Sequence, residues 1–182
     1  NLGGRQYRYI SGYRNVINKA IELNNQGIDC QLAIETSGHA AFKENYFLDD
    51  GAYVVAKILM LLPRLVAKGE TLDSLIKKLV QPKEVVEVRF KIETEDFKAK
   101  GLEVIKEFPD LIPKDWVVNP ENEEGVRIGF KGEYGDGWLL LRMSLHEPLL
   151  VLQIENDIEG YQTKILKTIK EILNRYPELN QN

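Results

Sequence analysis

The stretch Val86–Glu93, with the sequence VEVRFKIE, alternates apolar and charged residues at every position. Because successive side chains of a β-strand point to opposite faces, this alternation predicts a strand with one buried and one solvated face. Such strands are typical of antiparallel sheets with one face in water. Residues 126–130 alternate in the same way, 149–155 form a further apolar strand, and Gly-Asp-Gly at 135–137 predicts a hairpin turn into 138–142.

Two helical patterns accompany these strands. The first carries apolar residues from Phe97 to Phe108, and the second is a long closing helix from Ile158 to Tyr176. We therefore predict an α+β fold after Pro82, with helices packed on one face of an antiparallel sheet. The sequence Gln-Pro-Lys at 81–83 breaks the preceding pattern and sets the predicted boundary.

The residues before Pro82 alternate helix, strand and helix, which is typical of an α/β layer with a parallel sheet. A helix is predicted at Arg14–Asn25 and a strand at Gln31–Glu35. A third element, after Asp49 or Asp50, is apolar around almost its whole circumference, and helices of this kind are usually buried.

Two residues delimit the helices at the end of this half. Pro63 is expected to kink or end the apolar helix, because proline lacks the backbone N–H and crowds the preceding turn. Thr71 is expected to cap a further amphipathic helix that carries apolar residues up to Leu79.

Composition excludes several classes of protein. The 182 residues carry 24 basic and 28 acidic residues, mixed along the chain, which argues against a nucleic-acid surface. The longest apolar run, Ala52–Leu62, is interrupted by Lys57 and is too short to span a bilayer, so no membrane contact is expected. The single Cys30 allows no internal disulfide, and we expect a cytoplasmic protein. Because the chain opens on Asn1 without a methionine, we expect a fragment of a larger protein.

The loop at residues 35–39 collects polar groups suited to a sugar. Glu35 can accept hydrogen bonds from two neighbouring hydroxyls, and Ser37 can donate or accept beside it. His39 is a residue type that exchanges protons near neutral pH. Alternatively, Glu35 caps a helix, Ser37 shapes a turn and His39 is a surface residue.

A second loop, Arg142–Pro148, has groups suited to a phosphate. Arg142 can form a forked pair of hydrogen bonds to phosphate oxygens, and Ser144 lies on the same side of an extended segment. Alternatively, Arg142 pairs with a surface carboxylate such as Glu155. Together the two loops predict a sugar-phosphate site.

At these residues the sequence resembles a known family. The stretches Gly12-Tyr13-Arg14, Glu35–His39, Asp50-Gly51-Ala52 and Arg142–Pro148 resemble the C-terminal half of the α-D-phosphohexomutase superfamily, in the phosphomannomutase/phosphoglucomutase branch. The resemblance implies a four-domain parent. Residues 1–81 would be an incomplete domain 3 with a mixed sheet, and residues 82–182 a domain 4 with a TATA-binding-protein-like fold.

The resemblance also implies roles for individual residues. His39 would assist proton transfer, and Glu35 and Ser37 would hold the sugar hydroxyls. Arg14 falls where the family often places a lysine facing the ligand, and Gly38 is a further implied substrate contact. The non-reacting phosphate would be held by Arg142, Ser144, Leu145 and His146. Many members carry Gly or Asn and then Thr at the positions of Leu145 and His146, and some carry Arg at that of Gln153.

The implied activity is interconversion of hexose 1-phosphate and hexose 6-phosphate through a phosphoserine and a bisphosphate intermediate. The full-length enzyme would use Mg²⁺ and a hexose 1,6-bisphosphate activator, neither bound by this chain. Its partners would be the hexose phosphate and domains 1 and 2 of the same chain. Lacking a serine loop and an aspartate-rich metal loop, the fragment alone is expected to be inactive. A phosphoglucosamine mutase and a non-catalytic sugar-phosphate-binding module remain alternatives.

Overall fold

A computed structural model, which describes residues 3–144 and 147–181, divides the chain into two units, residues 1–80 and 81–182. In the first unit, residues 3–80 form three α-helices, two short strands and a single 3-10 turn at Lys43–Asn45. In chain order the helices and strands are α1 (Tyr13–Asn25), β1 (Leu32–Ile34), β2 (Ala40–Phe42), α2 (Gly51–Val66) and α3 (Leu72–Ile76).

The sheet of the first unit is a hairpin. Strands β1 and β2 pair antiparallel, with Ile34 opposite Ala40, and no parallel pair occurs within residues 3–80. The predicted parallel sheet is therefore wrong for this part of the chain. The chain turns back at once because Gly38 adopts a φ of 94°, a left-handed conformation that glycine reaches without steric cost.

Asp50 caps the start of helix α2, because its side chain accepts a hydrogen bond from the Tyr53 N–H at 3.0 Å. The helix continues through Pro63 to Val66, so of the two predicted effects, a kink or an end, the end does not occur at this proline. Pro63 lies in the last turn of α2, close to the end of the helix. Its missing N–H therefore removes one helical hydrogen bond, and only three residues of the helix follow it. Thr71 precedes α3, but its side chain makes no capping hydrogen bond and the helix has only five residues.

The predicted burial of α2 is also wrong. Within residues 3–80 the buried cluster consists of Ala20, Ala33 and Ala41, where α1 packs on the hairpin, and α2 contributes nothing to it. A helix that is apolar on all sides is buried only if other elements surround it. Among the described residues of the first unit, no helix or strand covers most of α2. Its exposed apolar side chains are Val55, Ile58, Leu59, Met60 and Val66.

The second unit contains a six-stranded sheet in the order β4-β5-β6-β7-β3-β8, with every neighbouring pair antiparallel. This confirms the predicted fold class. The strands are β3 (Glu84–Ile92), β4 (Val117–Val118), β5 (Val126–Phe130), β6 (Gly137–Met143), β7 (Leu149–Asn156) and β8 (Leu179–Asn180), and the helices are α4 (Phe97–Leu111) and α5 (Gln162–Leu173).

Both helices lie on one face of this sheet, as predicted. Phe90 of β3 and Leu150 of β7 are cross-strand partners and are fully buried in the same core as Phe108 of α4 and Ile169 of α5. The closing helix is shorter than the sequence indicates. It begins at Gln162 because the carboxylate of Glu84 accepts hydrogen bonds from the N–H groups of residues 160–162, at 2.8–3.2 Å.

No helix in the described part of the chain has the length and apolar character needed to cross a membrane.

The two units have very unequal cores, which predicts unequal stability when they are separated. Among the described residues, 19 are buried in the core of the second unit and three in that of the first. Because stability depends on buried apolar surface, residues 81–182 alone should unfold in one cooperative urea transition, followed by circular dichroism. Residues 1–80 alone should show a weak or non-cooperative transition. A cooperative, stable first unit would contradict this expectation.

Candidate functional site

The loop at residues 35–39 closes the hairpin between β1 and β2. The Glu35 N–H donates to the His39 carbonyl at 3.0 Å, and the Gly38 N–H donates to the Glu35 carbonyl at 2.9 Å. These two bonds fix the loop into a tight turn. The polar side chains therefore extend from a hydrogen-bonded turn.

The carboxylate of Glu35 fastens this loop to the start of α1. One oxygen accepts the Gly12 N–H at 3.0 Å, and the other accepts the Ser37 hydroxyl at 2.5 Å. The N-terminus of a helix carries partial positive charge, which suits a carboxylate. Glu35 thus holds a helix end, as the alternative interpretation proposed. Each of its oxygens keeps a second lone pair for a further donor.

His39 is held from two sides. Its Nδ1 lies 2.7 Å from Oδ2 of Asp49, and its ring stacks on that of Tyr13 with centroids 4.8 Å apart and planes inclined by 22°. The side chain remains 47% exposed, so the ring is oriented by neighbours while part of it stays accessible.

Arg14 joins the same cluster through Tyr13. Its Nε donates to the Tyr13 hydroxyl at 3.1 Å, and its guanidinium carbon lies 5.7 Å from the centre of that ring. The structure therefore gathers the predicted residues of this unit at one end of α1. The sequence interpretation gave no role to Tyr13 and considered Asp49 only as a helix cap, a task that Asp50 performs.

Arg142 lies near the end of β6, on the sheet face opposite the helices. Its cross-strand partner is Val151, which also pairs with Arg89 of β3. Its Nε lies 3.7 Å from a carboxylate oxygen of Glu124, and its Nη1 donates to the Met143 carbonyl at 3.3 Å. As the alternative interpretation expected, Arg142 pairs with a carboxylate, but the partner is Glu124 and not Glu155.

Ser144 follows β6 directly and makes hydrogen bonds to two residues near the start of β7. Its N–H donates to the Leu149 carbonyl at 2.9 Å, and its hydroxyl accepts the Glu147 N–H at 3.3 Å. The predicted phosphate contacts at Leu145 and His146 lie outside the described residues. The described residues on either side of them, Ser144 and Glu147, are joined by a hydrogen bond.

The sheet face around Arg142 carries charges of both signs. Gln153 donates to Glu87 at 3.4 Å. The Arg89 guanidinium holds the pKa of Glu87 below its ordinary value, and Gln153 and the charge of Arg142 act in the same direction. This face therefore already contains acceptors that compete for its arginines.

Within residues 3–144 and 147–181, no three carboxylate, histidine or cysteine side chains lie close enough together to hold a metal ion. The Mg²⁺ and the bisphosphate activator implied for a full-length enzyme stay predictions.

Comparison with known proteins agrees with this architecture. The family model described as phosphoglucomutase/phosphomannomutase, alpha/beta/alpha domain III, matches residues 1–82. A phosphomannomutase/phosphoglucomutase of Pseudomonas aeruginosa is 31% identical over 170 residues, 92% of this chain and 32% of the relative. A phosphoglucomutase of Neisseria gonorrhoeae is 30% identical over 149 residues, 81% of this chain and 30% of the relative.

A solved structure shares the fold. It is a phosphoglucomutase/phosphomannomutase family protein from Burkholderia thailandensis, which matches 94% of this chain and 33% of its own with a TM-score of 0.65 and 24% identity. The chain belongs to the α-D-phosphohexomutase superfamily. It spans about a third of the length of the curated relatives that it matches.

The ion pair of Arg142 generates a prediction about anions. If Arg142 binds phosphate, the nearby charge of Glu124 opposes that binding, since like charges a few ångströms apart repel. Glu124→Gln should raise the affinity for inorganic phosphate by about 3- to 10-fold, measured by NMR titration of the Arg142 side chain at constant ionic strength. Glu121→Gln, which removes the same charge from an exposed position nearby, is the matched control. Equal affinities in both variants would contradict the prediction.

Proposed function

We propose that the chain is the C-terminal, substrate-binding portion of a phosphomannomutase/phosphoglucomutase. Residues 1–81 would form part of its domain 3 and residues 82–182 its domain 4. The observation that carries the proposal is the 35–39 loop, where a carboxylate, a hydroxyl and an oriented histidine share one hairpin. This loop lies within residues 1–82, the part that the family model matches, which supports the assignment.

In this proposal His39 moves the proton of the reacting hydroxyl. The hydroxyl oxygen forms a bond to the phosphorus of a phosphoserine and its proton passes to the histidine, while the bond between phosphorus and the serine oxygen breaks and its electron pair stays on that oxygen. The reverse transfer later returns the proton to the substrate. An accessible imidazole suits this task, because it accepts and donates protons near neutral pH.

The remaining residues would bind the substrate without reacting. Glu35 and Ser37 would accept and donate hydrogen bonds to sugar hydroxyls, using the lone pairs that their present contacts leave available. Arg142 and Ser144 would hold the phosphate that does not react, which requires Arg142 to exchange Glu124 for a phosphate oxygen.

Other parts of the reaction require residues beyond this chain. The phosphoserine and the ligands of Mg²⁺ would come from domains 1 and 2 of a longer cytoplasmic protein, and this chain alone would be inactive. Specificity for glucosamine phosphate is the alternative within the enzyme class. A wild-type full-length protein that binds hexose phosphates and catalyses no interconversion would instead support a non-catalytic binding module.

His39→Ala in the full-length protein tests the proton-transfer role. General acid–base catalysis is typically worth about 100-fold or more, so kcat should fall by at least that factor while KM changes little. A coupled assay with glucose 1-phosphate and mannose 1-phosphate measures both constants. Lys43→Ala, at an exposed site just after the same hairpin, is the control. A loss of only a few-fold would reduce His39 to a structural residue.

Arg142→Ala in the full-length protein tests the phosphate contact. Charge-assisted hydrogen bonds contribute about 1.5–3 kcal/mol, so affinity for the hexose phosphate should fall roughly 10- to 100-fold by titration calorimetry. Arg142→Lys should recover only part of the loss, because lysine cannot form the forked pair. Arg89→Ala removes the same charge from the same sheet face and is the matched control. Unchanged affinity in Arg142→Ala would mean that the phosphate binds elsewhere.

A further inference from the structure

The contact between His39 and Asp49 bears on both the position of the imidazole ring and the nitrogen that carries its hydrogen. The two atoms that meet are Nδ1 of the imidazole and Oδ2 of the carboxylate, 2.7 Å apart. An ionised carboxylate only accepts hydrogen bonds, so the nitrogen that faces it carries the hydrogen. In the neutral ring the other nitrogen, Nε2, is then the acceptor. The contact therefore selects one of the two tautomers of His39.

The backbone around Asp49 fixes this carboxylate. Asp49 forms an isolated antiparallel bridge with Ala41 of β2, and the next residue, Asp50, caps α2. Asp49 thus lies between a strand and a helix start. Its side chain is 28% exposed and is directed at the imidazole instead of at the helix. Two adjacent aspartates therefore have separate tasks.

Tyr13 restrains the same ring from a different direction. Its side chain stacks on the face of His39, whereas Asp49 holds the ring edge at Nδ1. A ring that is fixed through one face and one edge has little freedom to rotate about its side-chain bonds. The arrangement keeps Nε2 aimed in one direction.

We infer that Asp49 is a positioning residue that holds His39 in the Nδ1–H tautomer and so makes Nε2 the atom that exchanges protons with the substrate. The inference rests on the proposed function for its catalytic part. When the substrate hydroxyl gives its proton to Nε2, the ring becomes an imidazolium with Nδ1–H still bonded to Asp49. The negative charge of Asp49 stabilises that cation, and the proton returns from Nε2 in the reverse step.

The tautomer can be measured on this chain without any assay of activity. The chain has two histidines, His39 and His146, so a ¹⁵N-histidine spectrum of the His146→Gln variant assigns the signals. At pH 9, where imidazoles are neutral, ¹⁵N–¹H correlations distinguish a protonated nitrogen from an unprotonated one. We expect Nδ1 of His39 to carry the hydrogen in the wild type.

Asp49→Asn should change this result, because the amide can donate a hydrogen bond to Nδ1 and thereby favour the Nε2–H tautomer. Asp50→Asn is the matched control. Asparagine caps helices as well as aspartate does, so this variant removes a charge at the next position and should leave the tautomer unchanged. A wild-type ring in the Nε2–H form, or an equal tautomer ratio in wild type and Asp49→Asn, would overturn the inference.

The catalytic part is tested in the full-length protein. Asp49→Asn should lower kcat roughly 10- to 100-fold and leave KM for the hexose phosphate little changed. Since Asp49 acts through His39, the double variant His39→Ala/Asp49→Asn should be no slower than His39→Ala alone. Independent, multiplying losses would overturn the positioning role. An inactive wild-type enzyme would contradict the proposed function, and the tautomer measurement would still decide the role of Asp49.

Discussion

Alternation of side chains along β3 is the constraint on which the second unit depends. One set of its residues faces α4 and α5 and enters the core, and the other set stays exposed on the opposite face. The register carries this division across β6 and β7, so Leu141 and Leu152 are buried together while Arg142 and Val151 share the other face. A shift of the strand register by one residue would exchange the two faces of the sheet. It would remove both the core and the opposite face that carries Arg89 and Arg142.

The first unit depends on polar contacts more than on a buried core. It has little core, yet it fixes a polar loop through hydrogen bonds and ring stacking instead of through burial. Glu35 is central, because its two oxygens join the start of α1 to the hydroxyl of Ser37. Such contacts are directional, so they specify the orientation of side chains even where the apolar contribution to stability is small.

Elements defined by a long periodic pattern could be predicted from the sequence, and elements defined by a few residues could not. The alternation in β3 and the helical spacing in α1 predicted both elements almost to their ends. Strand β2 has only three residues, too few for a period to appear, so the hairpin was missed. The burial of α2 was wrong because a sequence pattern describes what a helix prefers, whereas burial depends on which elements are available to cover it.

The same distinction applies to the candidate site: groups that are close in sequence could be recognised as a pattern, and contacts between distant residues could not. Glu35, Ser37 and His39 could be chosen as candidates because they are close in sequence and chemically distinctive, and their roles toward a sugar stay predictions. The pairing of His39 with Asp49 could not be predicted, since it depends on how the chain returns after β2. That return passes through Tyr46 and Phe47, both with a φ of 55°. This left-handed conformation is uncommon for residues other than glycine, so the sequence does not predict it. The roles of Arg142 and Ser144 toward a phosphate stay predictions.

The contacts that hold Glu35 and His39 come from residues 12–49, a single short segment. In the proposed mutase, the proton-transfer group and the side chains that orient it would be inherited together. Recombination between relatives at a border outside this segment would exchange the remaining domains without separating the histidine from its carboxylate. Phosphate binding at Arg142 and Ser144 could then diverge in evolution while the proton-transfer group stayed together with the sugar contacts of Glu35 and Ser37.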